Sequence, residues 1–289
     1  MRPTPLFRER GMNCRYRRRM SLAEPVEAAA APWRDAIRGI RAAFATLTRI
    51  PVGGFPYTER EWRWSSAHLP FVGACLGALL AMVWLAWARA GYGVAAFVTT
   101  GVSLLLTGAM HEDGLADTAD ALGGGGTDRP RVFEIMKDSR VGTYGASAIA
   151  LSIGLRVALL VRVGSLAPFA IVLAECASRS VPVWLMTRLP YVTAKAVQKS
   201  AVVTRAGTVQ LVVAALVTLA IAAPCAYRIT PSPLAGVAVL APLALTSASA
   251  VALFRKRLGG ITGDALGAAQ QITWLALVGA FTLLLGGPP

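Results

Sequence analysis

Charge is scarce in this sequence. Only 15% of its 289 residues are Asp, Glu, Lys or Arg, against roughly a quarter in ordinary globular domains, while 55% are hydrophobic and the mean hydropathy is +0.55. That balance excludes a single water-soluble domain, and so apolar a chain is equally far from intrinsic disorder. Acids are scarcer than bases, 15 against 29, leaving a formal charge of +14. Cysteine is rare too. Cys14, Cys75, Cys176 and Cys225 form no C-x-x-C pair, which argues against a disulfide framework or a zinc site and leaves reduced packing residues. No stretch alternates apolar and polar residues in the period of two that a membrane barrel needs. Residues 1–32 hold no apolar segment of the kind a signal peptide carries.

What the chain does hold is apolar blocks long enough to cross a bilayer as helices, about 20 residues each. They fall at 66–89, 93–110, 145–163, 167–187, 209–227, 234–254 and 272–285, the last being short. The blocks predict an all-α fold, a polytopic membrane bundle of about seven transmembrane helices, with Gly, Ala and Ser allowing close helix approach. Short segments rich in Lys and Arg stay in the cytoplasm. With the N-terminus inside, 24 Lys and Arg fall on the inner segments 1–65, 111–144, 188–208 and 255–271, against Arg89, Arg162 and Arg228 on the other side. The positive charge is then a cytoplasmic coat facing anionic lipid and phosphorylated solutes, not a nucleic-acid footprint. Residues 1–32, with Arg15, Arg17, Arg18 and Arg19, read as a disordered basic tail or as sequence ahead of a later start such as Met20. Residues 33–289 read as one integral-membrane domain. It opens with an amphipathic helix over 33–49 that lies along the membrane surface, with Phe44, Leu47 and Ile50 on its apolar face.

The few acids are unevenly placed. Six precede Trp62, seven fall between Glu112 and Asp138, and only Glu175 and Asp264 remain. A membrane protein that gathers its carboxylates in one segment is holding cations or moving protons there. Within His111-Glu112-Asp113-Gly114-Leu115-Ala116-Asp117-Thr118-Ala119-Asp120, the residues Asp113, Asp117 and Asp120 are spaced i, i+4, i+7 and share one helical stripe. Three carboxylates on one stripe repel unless a cation sits among them. An oxygen-only set with no nearby Cys favours a hard ion, Mg²⁺ above all when a phosphate shares it. The bland alternative is a solvated acidic helix.

Gly123, Gly124, Gly125 and Gly126 follow, either as a flexible linker or as backbone that approaches phosphate, with Arg129 close behind. In the run Phe133 to Arg140, Lys137 and Arg140 at i, i+3 share a face and suit phosphate oxygens. The segments 111–144 and 255–271 are thus the expected active-site loops on the cytoplasmic face. In the second, Asp264 among glycines either completes the metal site, binds a ribose or base, or marks a structural turn. Glu175 and Arg179, at i, i+4 inside a span, predict a functional or clamping ion pair. His68 reads as interfacial.

These residues closely resemble the cobalamin synthase (adenosylcobinamide-GDP ribazoletransferase) family. The likeness runs from about Ile40 to the C-terminus and is carried by Leu47-Thr48-Arg49-Ile50-Pro51, by the stretch His111 to Asp120, by Glu134-Ile135-Met136-Lys137-Asp138-Ser139-Arg140-Val141-Gly142 with Tyr144-Gly145, and by Gly260-Ile261-Thr262-Gly263-Asp264. The resemblance implies a multi-pass enzyme of the bacterial inner membrane, dependent on Mg²⁺, that joins adenosylcobinamide-GDP to α-ribazole or its 5′-phosphate and releases GMP. It implies Asp113 and Asp117 as metal ligands, Asp120 as third ligand or general base, and His111 as the competing base. Lys137 and Arg140 would then hold the phosphates, with Gly123, Gly124, Arg129 and Asp264 as further substrate contacts. Homo-oligomers or other corrinoid-pathway enzymes are the partners it suggests. Aromatic prenyltransferases, CDP-alcohol phosphotransferases and cation transporters are the rivals. The first carry a second Asp-rich motif, the second an Arg where Asp117 stands, and the third acids near the bilayer midplane.

Overall fold

The computed structural model describes residues 32–54, 56–192 and 206–285. Cys14, Lys195, Lys199, Arg205 and nearly all of the expected tail lie outside them. Among the described residues every regular element is a helix: α1 Pro32–Leu47, α2 Glu59–Ala67, α3 Leu69–Trp87, α4 Tyr92–Thr107, α5 Met110–Gly124, α6 Arg129–Met136, α7 Thr143–Val163, α8 Ala167–Ala177, α9 Ser180–Arg188, α10 Thr208–Ile229, α11 Leu234–Arg257 and α12 Gly263–Leu284. Five helical stretches are long and apolar enough to cross a membrane, or six if α4 and α5 count together across an 88° bend. The expected count of about seven differs because Thr143–Arg188 is one of those five. That run breaks at Gly164, where φ is +61°. Laid straight, its 46 residues would reach about 69 Å, more than twice the ~30 Å hydrocarbon core.

Two expected boundaries move for identifiable reasons. The segment 111–144 is mostly two helices, α5 and α6, rather than a loop. The last span begins at Gly263, not at 272, because Thr262 caps α12 by accepting from the Ala265 N–H at 3.1 Å. Gln270 and Gln271 lower the hydropathy of that turn, yet both are buried and partnered. Gln270 Nε2 donates to Ser178 Oγ at 2.8 Å and Gln271 Nε2 to Glu112 Oε1 at 2.8 Å.

The α4–α5 bend depends on Gly108 (φ +66°) and Ala109 (φ +57°), two successive residues in the left-handed region. The segment after α1 straps it. Arg49 N donates to the Leu106 carbonyl at 2.8 Å, and the Arg49 guanidinium lies so close to Gly108 that a Cβ there would meet Nε at 2.3 Å. His68, at the α2–α3 junction, has Nε2 2.9 Å from the Ala36 carbonyl, and burial lowers its pKa despite that contact.

Inside the bundle α3 packs against α8 through glycine. A Cβ at Gly73 would sit 2.2 Å from the Glu175 carbonyl oxygen, and one at Gly77 2.7 Å from Val172 Cα. Beside this crossing lies a buried polar cluster. Glu175, 2% exposed, accepts from Arg179 Nη1 one turn away, as the spacing predicts. It also accepts from Arg156 of α7 and, at 3.1 Å, from Trp274 Nε1 of α12. The Arg156 guanidinium covers the Trp274 ring at 4.1 Å.

Candidate active site

The acidic stripe of α5 divides in space. Asp113 and Asp117 turn toward the start of α12, where Asp264 sits in the first turn. The approach requires small residues. A Cβ at Gly114 would lie 2.8 Å from the Asp264 carbonyl oxygen, and one at Gly267 3.3 Å from His111 Cα. The two helices therefore touch backbone to backbone, and Asp264, far along the chain, becomes a neighbour of Asp113 and Asp117. Asp117 on α5, a helix too short to cross a membrane alone, has its pKa pushed up to about 6. Burial contributes most, followed by the carboxylates of Asp113, Asp264 and Asp120. Gly114→Val should lower kcat/KM by tenfold or more, since the helices must separate by on the order of an ångström and misplacement on that scale is costly. Purified variant compared with wild type, after matching folded fractions, checks this.

Asp120 has a different task. Its Oδ2 accepts from Gly142 N at 2.7 Å and its Oδ1 from Gly145 N at 2.8 Å. Gly142 is the N-cap of α7 and has no side chain to satisfy the helix's free N–H groups, so a carboxylate from α5 does so across the bundle. Glycine is needed at both positions, because a Cβ at 142 or 145 would fall 2.5 or 2.3 Å from an Asp120 oxygen. Asp120 thus makes a capping contact that engages both oxygens, a task its spacing on α5 did not foretell.

A cavity of about 680 Å³ opens beside Asp113 and Asp264. Lys137 and His111 also line it. Tyr191 and Val192 are brought to the same rim because Val192 N donates to the Ile261 carbonyl at 2.8 Å and Ile261 N to that of Pro190 at 2.9 Å. Leu69, Phe133, Met136, Pro182, Met186 and Leu266 form apolar walls. Deeper residues are Arg179 and Gln270, both 2% exposed. Neither was singled out from sequence as a cavity residue. The signal for Gln270 was a glutamine pair inside an apolar block, which a buried partner must explain.

Other expected contacts are not gathered here. α6 ends at Met136, so Lys137 and Arg140 do not share a helical face. The Arg140 side chain is 86% exposed and paired with Asp138, whose carboxyl it holds down at about 2. Arg140→Ala should therefore change kcat/KM less than about twofold, in keeping with the small worth of exposed ion pairs. Steady-state kinetics decide it. Arg129 caps a neighbouring helix instead, its Nη2 donating to the Arg255 and Lys256 carbonyls at 3.2 and 3.1 Å. Gly123 and Gly124 belong to the last turn of α5 and pack against the Tyr144 ring and Ile135, so they form neither a linker nor a phosphate cradle.

Among the described residues no three His, Cys, Asp or Glu side chains are grouped closely enough to hold a metal by themselves. Mg²⁺ does not require such a cage, since it usually binds through one or two carboxylates with substrate phosphates and waters completing the shell. The converging carboxylates, with a lysine on the same rim, fit that mode.

The family model described as Cobalamin-5-phosphate synthase matches residues 39–282. A protein named adenosylcobinamide-GDP ribazoletransferase from Leptothrix cholodnii is 42% identical over 241 residues, covering 80% of this chain and 89% of its own. Relatives of the same name from Rhizobium meliloti and Vibrio cholerae serotype O1 are 34% and 39% identical, covering 88% and 80% of this chain and 97% and 87% of theirs. No solved structure matches.

Proposed function

Because this chain belongs to the Cobalamin-5-phosphate synthase family, we propose that it is an adenosylcobinamide-GDP ribazoletransferase whose reaction takes place at the mouth of the cavity. The observation that carries the site assignment is the convergence of Asp113 and Asp264 with Lys137 on the cavity lining, with Asp117 one turn from Asp113 on α5. In the reaction the ribazole 3′-oxygen bonds to the cobinamide-linked phosphorus, the phosphorus–oxygen bond to the second phosphate breaks, and GMP departs with that electron pair. Such a displacement depends on positioning and charge neutralisation more than on covalent chemistry. Asp113 and Asp117 would hold Mg²⁺ together with substrate phosphates and waters, with the Asp264 carboxylate beside them. The ion, when bound, neutralises charge on the diphosphate. Lys137 binds phosphate oxygens from the rim and stabilises the charge that gathers on departing GMP. His111, in the cavity wall and held neutral because burial and the Arg179 charge push its pKa down to about 3, and Asp120 are the two candidates to take the 3′-hydroxyl proton.

The membrane arrangement that accompanies this reading counts α7 and α8–α9 as two crossings, giving about seven in all. Its N-terminus and active site face the cytoplasm of the inner membrane, where the Lys and Arg bias places them. The test is direct. Membranes carrying the protein, incubated with adenosylcobinamide-GDP, α-ribazole and Mg²⁺, should yield adenosylcobalamin and GMP by mass spectrometry. Neither product, with the Vibrio cholerae relative active in parallel, would overturn the proposal.

A further inference from the structure

The proposed reaction brings together two nucleosides and a corrinoid: guanosine on one phosphate of the substrate, the corrinoid on the other, and ribazole as the attacking alcohol. The cavity, at about 680 Å³, is of the size that encloses one drug-sized ligand, which suits a nucleoside and is far too small for a corrin macrocycle. In-line displacement puts the entering 3′-oxygen and the departing GMP oxygen on opposite faces of the phosphorus. One nucleoside therefore goes inward from the Asp113–Asp264 mouth and the other stays outside.

The walls favour the ribazole base. Phe133 and Met136 of α6, Met186 of α9, Leu69 of α3 and Leu266 of α12 surround the space with apolar surface. The hydroxyls among them have committed their protons to nearby backbone. Thr46 Oγ1 donates to the Ala42 carbonyl at 2.8 Å, Ser65 Oγ to that of Trp62 at 2.6 Å and Ser66 Oγ to that of Arg63 at 2.8 Å. At the inner end the unpartnered Arg179 Nε and Gln270 Oε1 are shut away even from water and offer a ligand nothing. Guanine carries O6 and N7 as acceptors and N1–H with the 2-amino group as donors, and stripping that edge of water without partners is costly. The dimethylbenzimidazole of ribazole has one lone-pair nitrogen, no donor and two methyl groups, so its burial is favourable. Its flat ring suits two methionine thioethers and a phenyl group. The direction of attack agrees. His111, a candidate for the 3′-hydroxyl proton, lines this cavity, whereas Lys137, the proposed partner of departing GMP, is exposed on its rim. A base for the nucleophile belongs on the entering side and a cation for the leaving group on the other.

We infer that the cavity is the ribazole subsite of the transferase, with the benzimidazole packed among Phe133, Met136 and Met186, the 3′-hydroxyl at the carboxylate mouth, and guanosine and the corrinoid outside. This rests on the proposed activity. It makes Met136 and Met186 specificity-determining residues, which select an apolar base by contact and exclude a purine by leaving its polar edge unpaired.

Met136→Gln and Met186→Gln provide the test, since both side chains are half-buried and the replacement keeps their length. Each variant is purified and checked for wild-type thermal unfolding, and either stands in for the other should one fail to fold. The KM for α-ribazole should rise by about tenfold or more, because a desolvated amide replaces an apolar contact with the base. The KM for adenosylcobinamide-GDP and the inhibition constant for GMP should stay within about twofold of wild type, because guanosine lies outside the cavity. Wild type should prefer α-ribazole to its analogue without the two ring methyls by about tenfold, the scale of two buried methyl groups, and that preference should shrink in both variants. Equilibrium dialysis of α-ribazole with wild-type protein gives a readout independent of turnover, and saturating GMP should not displace it. A KM for adenosylcobinamide-GDP that rises as much as that for α-ribazole, or displacement of α-ribazole by GMP, would overturn the inference. Unchanged constants for both substrates would overturn it equally. Wild-type protein that makes no cobalamin would instead defeat the proposed activity itself, so the two failures are distinguishable.

Discussion

Replacing Asp113 or Asp117 by Asn is expected to lower kcat/KM for ribazole transfer by roughly 100-fold or more, the scale on which loss of one preorganised electrostatic contact at a reacting phosphate is felt. The amide keeps the shape of the side chain and removes the charge. Asp113 is exposed at the α5–α12 junction and Asp117 half-buried, so neither substitution empties a packed space. The Mg²⁺ concentration for half-maximal rate should rise as well, because a neutral oxygen is a poorer ligand for a hard cation. Asp120→Asn separates metal binding from structure on the same stripe. It should cost about 1–3 kcal/mol of stability, since an amide has one acceptor for the two N–H groups of Gly142 and Gly145, while the Mg²⁺ requirement of the folded fraction stays that of wild type. Magnesium titrations of all three variants, read by GMP release, check both statements together. An Asp120→Asn enzyme with normal unfolding but a shifted Mg²⁺ requirement would return that residue to the metal.

The second large effect concerns the buried cluster beneath the cavity. Glu175→Ala leaves Arg156 and Arg179 without their shared carboxylate and Trp274 Nε1 without its acceptor. Breaking a buried ion pair from one side costs about 3–5 kcal/mol, because the remaining charge stays desolvated. Thermal unfolding in detergent or nanodiscs should therefore begin well below that of wild type. Activity at low temperature should fall too, since the Arg179 side chain is oriented by two bonds to Glu175. Glu175→Gln, which keeps the shape and one acceptor, should be intermediate. Unfolding of Glu175→Ala at the wild-type temperature would mean the two arginines find other compensation. Glu112 is the candidate for that role, since it is buried with Oε2 unpartnered.

Much of this molecule is legible in its sequence. A charged fraction of 15%, apolar runs of helical length and the absence of alternating stretches determine a helical membrane protein, because hydrocarbon leaves no other way to satisfy backbone groups. Scarcity of acids also points to the region of the site, and the motifs from His111 to Asp120 and Glu134 to Gly145 point to the family. The spacing of Asp113, Asp117 and Asp120 determines their angles about one helix axis, but says nothing of what stands opposite each. That was decided by tertiary contacts. Gly114 and Gly267 let α12 bring Asp264 to the first two carboxylates, and the bare N-terminus of α7 claimed the third. Likewise i, i+4 spacing pairs Glu175 with Arg179, while Arg156 and Trp274 reach the same carboxylate only because α7 and α12 pack around α8. Periodicity acts within a single helix. Which side chains meet across helices depends on close packing of small residues and on the satisfaction of buried polar groups, and both require the whole bundle.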